Sequence, residues 1–376
     1  MTSKQRLLAA LRGDPVDRVP LMLPMSTSAP PAPADSFLHG WQADPLYHEF
    51  YRYASPHHHH FEGWPFPPTR FLGLMSPEVH YGPWQQVAGD RRRQVLTVRT
   101  PRRTLTAVHE EIRNVPTTWT VKYLVESRED LAALAEVTWS LDPAHVESAL
   151  AQQQQALARI GDRGVPRLFV SSPMVCISGA MPLELFLELS YTDSAWLAEL
   201  CEIMTARIQR VLEALWAGGP LDTVVTFGGS EQCTPPMMAP AMFDRYVVPY
   251  EGHLVQWLKA RGVPVCIHCH GKVRHALTCM MAMGADATDP VEPPPAGDVT
   301  YAQARQIVGD RLTLIGNLEQ DWLEAVCPAD VRRHVREILA LGNRRLIMAC
   351  ASGPMGRVTR RTVDNYKAWI DAALEC

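Results

Sequence analysis

The chain has 376 residues, of which 47% are hydrophobic and 20% charged, a composition typical of a globular enzyme. Its 36 basic and 40 acidic residues give a net charge of −4, a balance that gives no sign of a basic surface for nucleic acids or anionic membranes. The nine cysteines show no disulfide framework, and no stretch reaches the roughly 18 apolar residues of a membrane helix. The N-terminal apolar run is too short for a signal peptide. We therefore expect a cytoplasmic protein that acts on a small molecule and binds neither nucleic acid nor membrane.

The N-terminal third differs in composition from the rest of the chain. We expect residues 24–125 to form an irregular, Pro/His-rich excursion from a single domain that spans residues 1–376. The tetrahistidine His57–His60 is flanked by aromatic residues and is interpreted as a surface loop, with an accidental metal site as the alternative. The basic cluster Arg91–Arg93 is interpreted as a solvated turn rather than a phosphate site. Thr/Val-rich runs over 94–125 predict a β-hairpin.

From about residue 128, short apolar runs alternate with helical patterns. The predicted strands cover 167–173, 223–231, 263–271, 285–292, 312–319 and 345–352. The predicted helices cover 182–188, 194–217, 239–261, 272–283, 301–308, 328–341 and 359–374. Strands that are apolar on both faces and alternate with helices indicate a buried parallel sheet. With Val19–Leu23 and one more strand before residue 165, the count reaches eight and predicts a TIM-like (β/α)₈ barrel. The alternative is an open doubly wound sheet, which the absence of a Gly-rich dinucleotide motif disfavours.

Polar side chains follow the predicted strands at the ends where barrel enzymes carry their chemistry. Packing explains this poorly, because buried polar groups cost free energy unless they are paired. In chain order the candidates are Ser171 and Ser172, Glu231, His268 and His270, Asp289 and Glu292, Asn317 and Glu319, and Cys350 and Ser352.

The His268-x-His270 pair carries the strongest signal for a metal site. Two residues apart on a strand, both imidazoles face the same side, so they can converge on one ion. The alternative is a pair of hydrogen-bonded core histidines. Glu292 and Cys350 at later strand ends favour the metal, and His268, His270, Glu292 and Cys350 are the predicted ligands. Because Asp289 and Glu292 are expected to face different ways, only one of them should be a ligand, and we favour Glu292.

Other strand-end residues are assigned roles around this metal. Glu231 is a candidate general acid/base, or else a carboxylate that caps the following helix. Asp289 is the second catalytic candidate. Asn317 and Ser172 are predicted to bind a cofactor or to orient a ligand or a water molecule.

Six segments carry a resemblance to a known family. They are RLLAALRGDPVDRVP, SEQCTPPMMAPAMFDRYVVPY, HCHGKV, GADATDPVEPPPAGDV, LTLIGNLE, and ACASGP followed by DNYKAWID. Together they resemble the uroporphyrinogen decarboxylase superfamily, and within it the zinc methyltransferase branch. That resemblance implies a barrel enzyme that acts with a corrinoid protein, as a monomer or homodimer, and binds zinc through a His-x-Cys and a Cys on the last strand.

The resemblance carries over to individual residues with one departure. His268 matches the family's His and Cys350 matches its distal Cys, but His270 stands where the family has Cys. Cobalamin-independent methionine synthases resemble this arrangement and add a Glu on the next strand, a place that Glu292 takes here. Zn²⁺ held by one His, two Cys and one Glu carries one net negative charge, whereas Zn²⁺ held by two His, one Cys and one Glu carries none. A less electron-rich metal makes a bound thiolate less nucleophilic and bound water more acidic. Iron or another first-row divalent metal is an alternative, but the thiolate of Cys350 favours zinc.

The sequence supports three functional hypotheses. The leading one is a zinc-dependent methyltransferase that moves a methyl group between a small substrate and a corrinoid or thiol acceptor, with Glu231 or Asp289 handling protons. The alternative is a uroporphyrinogen decarboxylase-like lyase that uses general acid/base chemistry at the same site. The segment LMLPMSTSAPPAP after the first strand lacks the arginines that bind substrate carboxylates in that branch. The third is a corrinoid-protein partner or metal-binding module without turnover.

Overall fold

The computed structural model describes residues 1–25, 30–67 and 78–375, so parts of the predicted 24–125 excursion lie outside the described residues. The strands, in chain order, are β1 (Leu21–Met22), β2 (His60–Trp64), β3 (Val79–Tyr81), β4 (Gln85–Ala88), β5 (Arg91–Arg99), β6 (Thr104–Ile112), β7 (Thr118–Lys122), β8 (Gly164–Ser171), β9 (Val224–Gly228), β10 (Val265–His268), β11 (Ala287–Val291), β12 (Thr313–Leu318) and β13 (Leu346–Cys350).

Eight of these strands form one parallel sheet. Its order is β1-β13-β12-β11-β10-β9-β8-β2, and every pairing in it is parallel. A parallel bridge between Leu21 and His58 brings the two outer strands together, so the sheet is a nearly closed barrel. The predicted (β/α)₈ fold is therefore confirmed, and the alternative of an open doubly wound sheet is excluded.

Helices alternate with the barrel strands. The α-helices, in chain order, are Ser3–Arg12, Pro45–Ala54, Arg128–Ala135, Pro143–Ile160, Val175–Ser178, Leu183–Thr192, Ser194–Leu215, Pro240–Tyr246, Val248–Lys259, Arg274–Met283, Tyr301–Val308, Gln320–Ala325, Pro328–Leu339 and Arg360–Leu374. The single helix predicted over 239–261 is two helices, since Pro249 lacks the N–H that would continue the first helix into the second. None of the helices in the described ranges combines the length and apolar character needed to cross a lipid bilayer.

The N-terminal helix Ser3–Arg12 packs against the lower part of the barrel. Its Leu7 and Leu11 are fully buried in a cluster with residues of the inner strand faces, including Ile315. A helix end leaves its last carbonyl groups without partners. Here Thr313 Oγ1 donates to the carbonyl of Ala10 at 2.8 Å. The helix thus fills the base of the barrel, and any ligand site must lie nearer the carboxyl ends of the strands.

The tetrahistidine is part of the barrel wall, so its interpretation as a surface loop is wrong. His58, His59 and His60 are 6%, 1% and 3% exposed. The Nδ1 atom of His58 accepts from Leu23 N–H at 2.9 Å, and Nδ1 of His59 accepts from Leu21 N–H at 3.1 Å. Burial lowers the pKa of His59 to about 3, so its imidazole stays neutral and can accept. These side chains take the place of ladder hydrogen bonds where the barrel closes.

The predicted hairpin is confirmed within a separate antiparallel sheet. β5 and β6 pair over their full nine residues, and β3, β4 and β7 add to them. The sequence predicted a solvated turn at Arg91–Arg93, and that prediction is wrong. These residues form the first part of β5. Arg91 and Arg93 each lie 2.7 Å from Glu110 on the neighbouring strand, and Arg92 pairs with Glu111. Cross-strand charge pairing explains the cluster.

Candidate active site

A cavity of about 350 Å³ lies in the upper part of the barrel. Alternate residues of a strand face the same side of a sheet, so Arg167 and Phe169 of β8 both point into it. His268, Asp289 and Cys350 line the same cavity from β10, β11 and β13. Four strands thus bring a cation, an aromatic ring, an imidazole, a carboxylate and a thiol to one space.

His268 and Asp289 form a pair because their strands lie in register. The two residues are parallel partners, and His268 Nδ1 lies 3.2 Å from Asp289 Oδ1. Arg167 Nη1 lies 4.0 Å from Asp289 Oδ2. Burial opposes ionisation of Asp289, but His268 and Arg167 hold the pKa of its carboxyl below the ordinary value. Asp289 is therefore an anion that orients the imidazole of His268.

His270 and Glu292 form a second pair just beyond the ends of the same two strands. His270 Nδ1 lies 2.8 Å from Glu292 Oε1, and Gly271 N–H donates to Glu292 Oε2. The hydrogen bond to Glu292 raises the pKa of His270. Burial opposes ionisation of Glu292, yet these two donors hold its pKa below the ordinary value. Both oxygens of Glu292 are thus already engaged.

The two imidazoles lie side by side, with ring centroids 4.8 Å apart and planes at 83°. When Nδ1 donates to a carboxylate, Nε2 keeps its lone pair free, which is the usual arrangement of a metal-binding histidine. The donor chemistry of these two residues therefore fits a first-row divalent metal. The placement of Asp289 and Glu292 fits that of the carboxylates that hold such histidines.

Cys350 ends β13 and lies beside the cavity. Burial raises the pKa of its thiol to about 12. Among the described residues, no three of the four predicted ligand atoms of His268, His270, Glu292 and Cys350 lie within 4.8 Å of one another. Binding one metal through all of them therefore requires side-chain rotation, and the predicted ligand set stays a prediction.

The remaining predicted residues lie around these pairs. Glu231 sits in the 3-10 turn Ser230–Cys233 and contributes to the raised pKa of His270. Ser172 is fully buried beside Glu251 and donates its backbone N–H to Gly228, away from the cavity lining.

Asn317 donates its amide to the carbonyl of Val291 and so ties β12 to the end of β11. It lines a second cavity of about 380 Å³ together with Glu319. No observation tests the cofactor role that was predicted for Ser172 and Asn317.

Two residues with clear functional potential were not selected from the sequence, and a third, Glu319, was given no role. Arg167 and Phe169 lie inside a strand rather than at its end, and only the barrel geometry shows that they face the cavity. The Phe169 ring contacts His268 edge-on at 5.8 Å and occupies space that a Cβ on Gly228 would fill. Glu319 was noted at a strand end. Burial, with nearby Glu292, raises its pKa to about 7.

A second group of metal-binding side chains lies away from the cavity lining. Within the described part of the chain, Asp244, His275 and Cys279 form a group whose ligand atoms all lie within 4.8 Å of one another. The structure thus contains a preformed set of three possible metal ligands, although not the set that the sequence predicted.

The sequence of residues 121–375 matches the uroporphyrinogen decarboxylase (URO-D) family. This chain belongs to the URO-D family. The match begins in β7 and runs to the last helix. It includes the barrel strands β8 to β13 and both His–carboxylate pairs, so the expectation from the sequence motifs is confirmed. Membership of this family supports the prediction that the protein is an enzyme. No curated protein matches the sequence.

Solved structures share the fold at low sequence identity. A methyltransferase from Methanosarcina mazei is similar over 100% of this chain and 99% of its own, with a TM-score of 0.61 and 16% identity. A B12-independent methionine synthase from Shewanella sp. W3-18-1 is similar over 80% of this chain and 75% of its own, with a TM-score of 0.42 and 10% identity. At these identities the first likeness shows the fold alone, and the second supports no further argument.

Proposed function

We propose that this URO-D family member is a metal-dependent methyltransferase that moves a methyl group between a small substrate and a corrinoid or thiol acceptor. The observation that carries the proposal is the pair of imidazoles at the end of β10, each with Nδ1 held by a carboxylate. Such second partners fix the tautomer and orientation of metal-binding histidines. The cavity beside them has room for a small substrate.

His268, His270 and Cys350 would hold the metal, with Glu292 as a fourth ligand or as the partner of His270. Zinc suits this mixed imidazole and thiolate set better than iron does. When bound, the ion would act as a Lewis acid that polarises the heteroatom that gives up or accepts the methyl group.

The chain's own side chains would position the substrate and handle protons. Arg167 offers a cation to an anionic group of the substrate, and Phe169 offers an apolar wall beside His268. Asp289 keeps the proton of His268 on Nδ1. Glu231, whose charge acts on His270, would accept or donate a proton.

Two further findings support a methyltransferase. The fold matches a methyltransferase from Methanosarcina mazei over almost the whole of both chains. The sequence motifs resemble the corrinoid-dependent branch of the superfamily. A corrinoid protein is accordingly the proposed partner in the reaction.

The test combines metal analysis with methyl transfer. We expect wild-type protein to bind zinc at this site and to demethylate methylcobalamin, or a methylated corrinoid protein, in the presence of a thiol. His268→Ala and His270→Ala should each lose at least about 10–100-fold in metal affinity and in activity. His253→Ala, at an exposed position on an outer helix, is the matched control and should change neither. Unchanged metal affinity and activity in His270→Ala would refute the proposal.

Arg167 favours a carboxy-lyase as a second candidate. The decarboxylase branch binds substrate carboxylates with arginines, and Arg167 places one guanidinium in the cavity, 4.0 Å from Asp289. A lyase of this kind works through general acid/base chemistry and keeps its activity after chelation. A methyltransferase of the first kind loses it and regains it with zinc. Arg167→Met should raise KM for an anionic substrate in either case.

A further inference from the structure

A cluster on the outer helices carries a second metal-binding inference. Asp244 lies on the helix Pro240–Tyr246, and His275 and Cys279 lie on the helix Arg274–Met283. Residues four apart on a helix share one face, so the helix itself brings the imidazole of His275 and the thiol of Cys279 together. None of the three lines the barrel cavity.

The three ligand atoms form a compact triangle. His275 Nε2 lies 2.9 Å from Asp244 Oδ1, Cys279 Sγ lies 3.2 Å from the same oxygen, and Sγ lies 3.4 Å from Nε2. Zinc bonds of about 2.0 Å to nitrogen and oxygen and about 2.3 Å to sulfur place tetrahedral ligands about 3.3–3.6 Å apart. The observed edges come within a few tenths of an ångström of that spacing.

The residue types and their burial suit the same ion. A thiolate, an imidazole and a carboxylate are the three donor types that zinc takes in proteins. One thiolate and one carboxylate also balance the charge of a divalent cation. Cys279 is buried, His275 is half-buried and Asp244 is exposed, so the open side of the triangle faces solvent. A water molecule can supply a fourth ligand from that side.

We propose that Asp244, His275 and Cys279 bind a zinc ion on the outside of the barrel, separate from the candidate active site. The ion ties the helix that follows β9 to the helix that follows β10. β10 carries His268, and His270 follows it, so this clamp supports the strand end on which the candidate active site is built. Its role is structural, because the proposed metal chemistry at the strand ends does not require it.

Cobalt substitution separates the two sites. In a Cys350→Ser background, a thiolate–cobalt charge-transfer absorption should persist, and it should disappear when Cys279→Ser is added. Asp244→Asn, a change at an exposed position that leaves the core intact, should weaken cobalt and zinc binding at least 100-fold in the same background. Cys327→Ser, at an exposed cysteine, is the matched control and should change neither the spectrum nor the affinity.

A thermal measurement gives an independent readout. Zinc should raise the Tm of the Cys350→Ser protein more than that of Cys350→Ser/Asp244→Asn, because a ligand bound to the folded state stabilises it and only the first protein keeps all three outer ligands. The inference is overturned if Cys350→Ser shows no thiolate–cobalt absorption, or if the absorption survives Cys279→Ser. Either result would leave the three side chains as a hydrogen-bonded triad without a metal. Neither result bears on the metal site at His268 and His270.

Discussion

Glu251 offers a quantitative test of the packing behind the candidate active site. Its carboxyl is fully buried, and Ser230 Oγ donates to Oε2 at 3.0 Å. Burial raises the pKa of Glu251 from an ordinary 4.5 to about 7. Since one pH unit corresponds to about 1.4 kcal/mol, ionising this group costs about 3 kcal/mol more in the folded protein than in the unfolded chain.

The sign of the pH dependence follows from that shift. Below about pH 4.5 the carboxyl of Glu251 is protonated in both states and carries no penalty. As the pH rises from about 4.5 to about 7, the unfolded chain releases the proton while the folded protein retains it. The free energy of unfolding therefore falls over this range. Above about pH 7 both states are ionised, and the loss is complete.

The Glu251→Gln variant removes this titration but keeps an oxygen that can accept from Ser230. We expect the stability difference, variant minus wild type, to grow by about 3 kcal/mol in favour of the variant between pH 4.5 and 8. Urea unfolding at a series of pH values, followed by circular dichroism, measures it. Glu199→Gln, at an exposed position, should show no comparable trend. A difference between Glu251→Gln and wild type that stays constant with pH would refute the reasoning.

Three further substitutions test the site and the barrel. If the proposed function is correct, Asp289→Asn should lower metal affinity or activity about 10–100-fold in a metal titration, with circular dichroism unchanged. His59→Ala should lower the free energy of unfolding by about 2–3 kcal/mol, because it leaves a buried backbone N–H unpaired, whereas half-buried His57→Ala should cost far less. Leu7→Ala should lower the free energy of chemical unfolding by about 2–5 kcal/mol, since it opens a cavity at the base of the barrel. An equal loss in Leu8→Ala, at a partly exposed position, would contradict this packing.

Local patterns were sufficient to predict most of the barrel. The helix expected over 301–308 has those bounds, and the strand expected over 312–319 is Thr313–Leu318. Both segments have a hydrophobic period that matches their structure and clear signals at their ends. Thr300, for example, forms a capping box with Gln303. Such signals lie within a few residues of one another, so a single sequence displays them.

The closing strand could not be predicted because its partner is distant in sequence. The histidines 58–60 are polar, and a polar run after prolines and aromatics is typical of a loop. They are buried because His58 and His59 accept backbone N–H groups of Leu23 and Leu21, 35 and 38 residues earlier. Only the barrel topology brings those segments together.

In the candidate site, too, short-range features were predictable and long-range pairings were not. The spacing of His268 and His270 predicted two neighbouring imidazoles, and their rings are adjacent. Their carboxylate partners lie 21 and 22 residues further on, so the pairing depends on the register of β10 and β11. Likewise, the four-residue spacing of His275 and Cys279 can be read from the sequence of one helix. The approach of Asp244 from another helix cannot.

The carboxylate pairing also changes the charge that the proposed metal would carry. The sequence suggested Glu292 as a ligand, which makes zinc with two imidazoles, a thiolate and a carboxylate neutral. Both oxygens of Glu292 are held by His270 and Gly271 instead. If Glu292 keeps these two hydrogen bonds, zinc bound by His268, His270 and Cys350 carries one net positive charge and has an open fourth position, as catalytic zinc sites do. Such an ion attracts electrons from a bound heteroatom more strongly than a neutral site would. Compared with a neutral site, this arrangement therefore polarises a methyl donor's leaving atom more strongly and makes a bound thiolate a weaker nucleophile.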